Sequence, residues 1–227
     1  RPGITFSVDE LTVDDTASSL LKKQAGTFND LVFDYSISRD ERDRAFMPTS
    51  GYITSFRQQL PMYSDSAHIL NSLSISNYKS FSDNVIGSAK FYIAGISSLD
   101  EDVRISRRIF IPFNRLRGFE TRKVGPKDGD DYIGGNYAAS VNFSSNVPGL
   151  LPSAETLDIN FFIDAGNVWG VDYFDGDDEG SEIRSSIGLG LDWLTPIGPL
   201  NFTLATAITK AESDKTETFR FNLGTTF

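Results

Sequence analysis

The sequence predicts an all-β fold, an antiparallel transmembrane β-barrel assembled from hairpins, and three observations carry that expectation. Apolar residues recur at every second position through most of the chain, the positions between them are polar, and the connections tend to alternate between short and long. Alternation by itself also fits a soluble sandwich, whose strands run to about five or six residues. The stretches here are longer, and a dry core would bury their Ser, Asn, Asp and Arg at about 1–3 kcal/mol for each unpaired group. A wet lumen imposes no such cost.

The chain opens RPGITFSVDE with no methionine, which fits a piece of a longer polypeptide whose targeting signal lies elsewhere. Weak alternation over residues 4–13 suggests a first strand. ASSLLKKQAG, Ala17 to Gly26, is a short helix candidate inside a loop, stopped by its glycine. Leu31, Phe33, Tyr35 and Ile37 then alternate with Asp34, Ser36 and Ser38, and weaker alternation marks residues 52–60, 69–79 and 85–96. MPTSG, MYSDS and SFSDN join these by quick turns.

A long connection follows, from about 97 to 135. Tyr137, Ala139, Val141 and Phe143 next oppose Asn136, Ser140 and Asn142, and VPGLLPSAE leads to the clearest strand. There Leu157, Ile159, Phe161, Ile163, Ala165, Asn167 and Trp169 share one face, with Asp158, Asn160, Asp164 and Gly166 on the other. After the acidic VDYFDGDDEGSE, the set from Ile183 to Trp193 repeats the split, and TPIGP turns the chain into Leu200, Phe202, Leu204, Thr206 and Ile208. AESDKT connects to the end, where Phe219, Phe221, Leu223, Thr225 and Phe227 line up. The count is roughly ten strands in one domain, each about long enough to cross a bilayer at a tilt.

Composition excludes several functions. A net charge of -10 opposes a phosphate-tracking nucleic-acid binder. With no cysteine and the single His68, thiolate chemistry, most zinc sites and a Ser-His-Asp set fall away, and His68 reads as a polar side chain near a turn. No apolar run reaches the roughly 20 residues of a spanning helix. DGDDEG, Asp175 to Gly180, lacks the spacing of a calcium loop, GLG at Gly188 to Gly190 lies inside a strand, and GPKDGDD lacks the order of a phosphate loop. The expectation is therefore no enzyme, no cofactor and no metal site.

One stretch of the long connection stands apart. NRLRGFETRKVGP, Asn114 to Pro126, gathers four basic side chains around Gly118 and Phe119 in an acidic chain. If this loop folds back into the barrel, the Arg117 guanidinium could meet the Asp164 carboxylate in charge-assisted, bidentate hydrogen bonds. Spacing alone leaves open a solvated loop with an incidental Arg-Gly-Phe triplet.

The ordered motifs LRGFE, VGPKDGDD, GGN, FFIDAGNVW, DWLTPIGPL and FRFNLGTTF, with RDRAFMPTSGY upstream, resemble the C-terminal barrel of the BamA family of outer-membrane insertases. The resemblance implies a 16-stranded barrel, of which this chain corresponds to strands seven to sixteen. Residues 1–227 would then be the C-terminal portion of the barrel, with loop six at about 97–135 and the first strands and POTRA domains outside the chain. Arg117, Gly118 and Phe119 match the family's loop-six motif, Asp164 its acidic partner, and Asn142 stands where the family often has a second acid. Phe219, Phe221, Leu223 and Phe227 match the C-terminal barrel signal.

The function it implies is insertion and folding of β-barrel proteins in the bacterial outer membrane, as an integral protein. Implied partners are outer-membrane lipids, unfolded β-barrel clients, and accessory lipoproteins through the POTRA domains, with no nucleic acid. A translocation pore of the same superfamily, of the two-partner secretion or TamA-like type, is the alternative; a passive porin and a soluble β-sandwich binder are more distant.

Overall fold

The protein was analysed as a computed structural model, which describes residues 1–224 other than 16, 18, 46, 101, 148–149, 151–155, 173–181 and 197. The acidic Asp175 to Gly180 stretch and Phe227 lie outside the described residues. The strands are β1 (Pro2–Leu11), β2 (Gly26–Asp40), β3 (Gly51–Ser64), β4 (His68–Ser82), β5 (Val85–Ser98), β6 (Lys127–Asp128), β7 (Asp131–Tyr132), β8 (Tyr137–Asn146), β9 (Leu157–Trp169), β10 (Arg184–Thr195), β11 (Gly198–Thr209) and β12 (Phe219–Leu223). The helix candidate yields a short helix, α1 (Ser19–Lys23), and one 3-10 turn, Ile105–Arg107, lies in the long connection.

Ten strands form one antiparallel sheet in the order β1-β2-β3-β4-β5-β8-β9-β10-β11-β12, while β6 and β7 make a separate hairpin inside the long loop. Every sheet neighbour is reached by the next hairpin, which is the up-and-down connectivity of a membrane barrel. β1 and β12 are the two edges of the sheet, so the chain is an open barrel wall and not a closed cylinder.

Register explains why alternation was so readable. Ile187 of β10 stands opposite Ile163 of β9 and Thr206 of β11, and Leu189 stands opposite Phe161 and Leu204. Phe143 of β8 meets Ile163 from the other side. These apolar residues are exposed, whereas Asp158, Asn160 and Asp164 on the opposite face of β9 are buried. Apolar outside and polar inside is the reverse of a soluble protein and the pattern of a strand facing hydrocarbon.

The inner face differs from the uniformly wet lumen expected. Ile109, Ile111, Leu116 and Phe119 of the long loop pack as a buried cluster with Ile96 of β5 and Val168 of β9. Alanines on the same wall, Ala94 and Ala138, leave room for them. The loop supplies the apolar layer that a second sheet would supply in a sandwich, and part of the lumen is dry as a result.

On the rim of the short turns, residues 41–50 join β2 to β3 in a self-contained knot. The Asp43 carboxylate accepts from the Thr49 hydroxyl at 2.7 Å, from the Thr49 amide at 2.9 Å and from the Ser50 amide at 3.1 Å. Gly51 closes the turn at φ 95°, where an added Cβ would lie 2.1 Å from the Glu41 carbonyl oxygen. Only glycine fits there.

The Thr49 hydroxyl bond, with the two amides, lowers the Asp43 pKa to about 2. A carboxyl whose folded pKa is depressed stabilises the turn fully above its unfolded value of about 3.9 and loses that contribution as pH falls toward 2. The expected outcome is that the Asp43 carboxyl titrates by NMR with a midpoint near 2 in the folded protein. Replacement of Thr49 by Val should move the midpoint up toward the ordinary carboxylate range.

Candidate functional site

The site is the contact between the tip of the long loop and the wall formed by β9, β10 and β11. Arg117 donates from Nε to Asp164 Oδ2 at 2.7 Å, from Nη2 to Oδ1 at 2.7 Å, and from its backbone amide to Oδ2 at 3.1 Å. Three charge-assisted bonds converge on one carboxylate that is wholly buried, so both oxygens are satisfied by a single residue. The guanidinium also lies over the Phe162 ring, 3.4 Å from its centroid. Stacking on an aromatic face adds attraction in a partly desolvated place.

The wall is cut to receive this arrangement. Phe162 is an aromatic residue on the polar face of β9, and it stands opposite Gly188 of β10. A Cβ at position 188 would fall 2.5 Å from the Phe162 ring and 2.2 Å from the Leu204 carbonyl oxygen, so the ring takes its place only because position 188 has no side chain. Gly188 thus makes room for the ring that Arg117 covers. Beside it Gly118 takes φ 88°, and a Cβ there would press on Ala205 at 3.1 Å and on Ser186 at 3.3 Å. Gly118 thus serves both a left-handed turn and a close approach to the wall.

Phe119 points into the loop's apolar cluster and is 3% exposed. Its backbone bridges Thr216 in the connection between β11 and β12. Around that bridge the Glu120 amide donates to the Lys215 carbonyl at 2.9 Å and the Glu217 amide to the Gly118 carbonyl at 3.0 Å. Arg-Gly-Phe therefore distributes three jobs over three residues: an ionic bond to β9, a flat pass over β10 and β11, and a backbone clasp on the last loop.

Asn142 requires a correction. It stands opposite Asp164 in register, yet its Nδ2 donates to the Arg115 carbonyl at 2.8 Å, and its Oδ1, the atom that could accept from the Arg117 guanidinium, has no hydrogen-bond partner. Arg117 turns its Nε and Nη2 donors to Asp164, whose charge attracts them more strongly than a neutral amide oxygen. Asn142 holds the loop's backbone two residues upstream of the arginine.

Other functional side chains escaped the sequence reading. Asp30 of β2 is fully buried and takes Arg104 Nη2 at 2.5 Å, Arg107 Nη2 at 2.6 Å and the Ser64 hydroxyl at 2.5 Å, while Arg107 also reaches Asp9 at 2.9 Å. Arg184 of β10 is fully buried against Asp214 of the last loop, with Nε–Oδ2 at 2.9 Å and Nη2–Oδ1 at 3.1 Å. The long loop is thus tied near its start to β1 and β2 and at its tip to β9, and the last loop is tied to β10. Arg104 and Arg107 sit in VRISRR, a basic cluster in an acidic chain, and that cluster was the available signal.

Phe219, Phe221 and Leu223 are exposed on the outer face of β12, and Phe221 packs on Phe202 of β11 at 5.1 Å between ring centroids. His68 is buried at the start of β4, its Nδ1 3.2 Å from the Ser66 carbonyl. Among the described residues no group of three or more His, Cys, Asp or Glu converges as metal ligands do.

The Omp85 superfamily domain matches residues 3–227. The outer membrane protein assembly factor BamA of Neorickettsia risticii (strain Illinois) is 28% identical over 236 residues, covering 99% of this chain and 31% of that protein. The human sorting and assembly machinery component 50 homolog is 24% identical over 170 residues, covering 71% of this chain and 36% of that protein. The chain thus spans about a third of the length of these relatives, 31% and 36%. The crystal structure of BamA from Haemophilus ducreyi lacking POTRA domains 1-3 superposes with a TM-score of 0.78 at 24% identity, over 86% of this chain and 42% of that one, a likeness of fold.

Arg117→Ala leaves Asp164 buried and unpaired, and such a break costs about 3–5 kcal/mol locally. The expected outcome is cleavage of the long loop by trypsin at least tenfold faster, with the barrel still migrating as folded on unheated gels. Arg117→Lys keeps the charge but loses the fork and should fall between the two. Gly188→Val displaces Phe162 and should raise cleavage as Arg117→Ala does, with Arg117 itself intact.

Proposed function

We propose, from the premise that this chain belongs to the Omp85 superfamily, that its parent protein folds and inserts β-barrel proteins into the bacterial outer membrane without covalent chemistry. The observation that carries this reading is the Arg117 stack on Asp164 and Phe162, because it fixes a long loop inside the barrel wall where a passive pore would keep open water. The relative with the higher identity of the two described above bears the name of an outer membrane protein assembly factor.

The geometry supplies a physical route. The exposed apolar rows of β8 to β11 would face lipid, and the polar inner wall would stay with the loop. Among the described residues β12 pairs with β11 over Leu200–Leu204 and Phe219–Leu223, and the register runs on through the Ala205 amide to the Thr218 carbonyl and the Gly224 amide to the Pro199 carbonyl. β12 is an edge of the sheet, so an incoming strand could add there by backbone hydrogen bonding. The client's own folding supplies the free energy. Outer-membrane lipids and unfolded β-barrel clients are the partners this route requires, and accessory lipoproteins would act through domains beyond this chain.

The test uses the full-length parent protein in liposomes, with a urea-unfolded small barrel as client. Wild type should speed the client's conversion to its folded, heat-modifiable form by about tenfold or more, some 1.4 kcal/mol off the barrier. Arg117→Ala should lose most of that gain. No acceleration would overturn the reading, and client protected inside the vesicle without membrane insertion would replace it by a translocation pore.

A further inference from the structure

β12 is an edge of the sheet, so its grip on the barrel comes from β11 and from whatever its inner face touches. Phe219, Phe221 and Leu223 are exposed on the outer face, which leaves Arg220 and Asn222 on the inner one. The Arg220 guanidinium crosses into the long loop. Its Nη1 donates to the Thr121 hydroxyl at 2.8 Å and its Nη2 to the Phe119 carbonyl at 3.2 Å, and its plane lies 5.2 Å from the centre of the Phe113 ring. A side chain of the edge strand is thus joined to the loop tip that Arg117 fixes on β9.

The ionic partner of Arg220 sits elsewhere. Nε donates to Glu217 Oε2 at 2.6 Å, and Glu217 lies three residues earlier in the same segment. Other ion pairs of the inner wall are built differently. Arg117 and Asp164, Arg104 and Asp30, and Arg184 and Asp214 each join two elements, so parting them orphans a buried charge. Arg220 and Glu217 travel together. The Glu217 amide stays clasped to the Gly118 carbonyl, so β12 can turn about its loop end with Glu217 still in reach of Arg220. Such a turn breaks the bonds to Thr121 and Phe119 and the ring contact, none of which involves a charged partner. Arg220 and Glu217 are also partly open, 18% and 33% exposed, so water can take the vacated donors.

We propose that Arg220 is a releasable latch between the long loop and the edge strand. Bonded, it holds β12 seated on the loop tip; released, it lets β12 turn to receive an incoming strand. Arg117 is the permanent anchor of the loop, and Arg220 is the positioning residue that couples that loop to the edge. The use made of the release rests on the assembly reading, whereas the latch itself rests on the geometry.

The experiment has two arms, both on the full-length parent protein in liposomes. Without client, hydrogen exchange at the amides of β11 and β12 is read by mass spectrometry. Arg220→Gln should speed exchange there at least tenfold, with the protein still folded on unheated gels and cleavage of the long loop unchanged, and Arg220→Lys should fall between. With a urea-unfolded small barrel as client, Arg220→Gln should insert it several-fold faster than wild type, the opposite of what losing a purely structural contact would do. These 227 residues hold no cysteine, so Thr121→Cys with Arg220→Cys, in a parent whose other cysteines are replaced by serine, can be bridged by a short bis-maleimide. Bridging should abolish an acceleration that the unbridged protein keeps. Unchanged exchange in Arg220→Gln overturns the latch. Slower insertion by that variant, or undiminished insertion by the bridged protein, overturns its release. Should Arg220→Gln fail to fold, Thr121→Val removes one acceptor from the loop side and should speed exchange several-fold. A wild type that accelerates no client removes the assembly reading and leaves the exchange arm to decide the latch.

Discussion

The arrangement rests on one constraint: a buried carboxylate in the wall of β9 must be met by a guanidinium that arrives from a distant loop. Asp164 cannot remain charged and buried alone, because an unpaired charge in a low-dielectric wall costs several kcal/mol. Water could serve it only if the lumen were open at that point, and the loop's apolar cluster has closed it. Arg117 therefore settles both problems at once. Its fork satisfies two oxygens, its plane stacks on Phe162, and its backbone amide adds the third bond. Lysine could supply the charge but neither the plane nor the fork.

The same logic recurs at the start of the long loop and in the last loop. Asp30 gathers Arg104 and Arg107, and Arg184 meets Asp214. Such pairs add little net stability compared with well-packed apolar residues, because desolvation offsets much of the attraction. Their value lies in selectivity of position. An apolar contact can slide by one residue along a wall of alternating side chains, whereas an arginine fork one residue out of place leaves a buried charge unmatched. Ionic anchors thus determine where a long loop sits, and the apolar cluster of Ile109, Ile111, Leu116 and Phe119 determines that it stays closed.

The strands were legible because their two faces meet different solvents, so a period of two survives from Leu157 to Trp169 with little interruption. The Arg117 and Asp164 pair was legible for a related reason: a basic cluster in an acidic chain and an acid on a lumen-facing position have few other uses. Partners across the sheet were not. Arg104 and Asp30 lie far apart in sequence, and register, which decides who faces whom, leaves no trace in composition. Asp214 looked like one more solvated residue of AESDKT, and Arg184 like one more polar step in an alternating strand. Asn142 was placed at the correct level, but the choice between the Arg115 carbonyl and the Arg117 side chain depends on how the loop backbone passes. Ala94, Ala138 and Val168 interrupt the polar inner face, and the long loop packed against them is what accounts for their apolarity.

An insertion route would use the edge of the sheet and not its interior seams. Between β4 and β5 and from β8 to β11 the ladders run nearly the full length of the strands, so opening any of them breaks many backbone bonds at once. In hydrocarbon each unsatisfied backbone group costs several kcal/mol, so those seams do not part. β12 has only β11 as a neighbour in the sheet among the described residues. Its ladder continues in register beyond Leu204, where the Ala205 amide donates to the Thr218 carbonyl of the connecting loop at 2.9 Å. That connecting loop is itself pinned, through Thr216 to Phe119 and through Asp214 to Arg184. The last strand is therefore tethered at its loop end. A strand fixed at that end can admit a new neighbour at its free edge without leaving the wall. The anchors of the long loop and of the last loop meet at the bridge between Phe119 and Thr216, so the loop tip that Arg117 fixes on β9 also fixes the entry to β12.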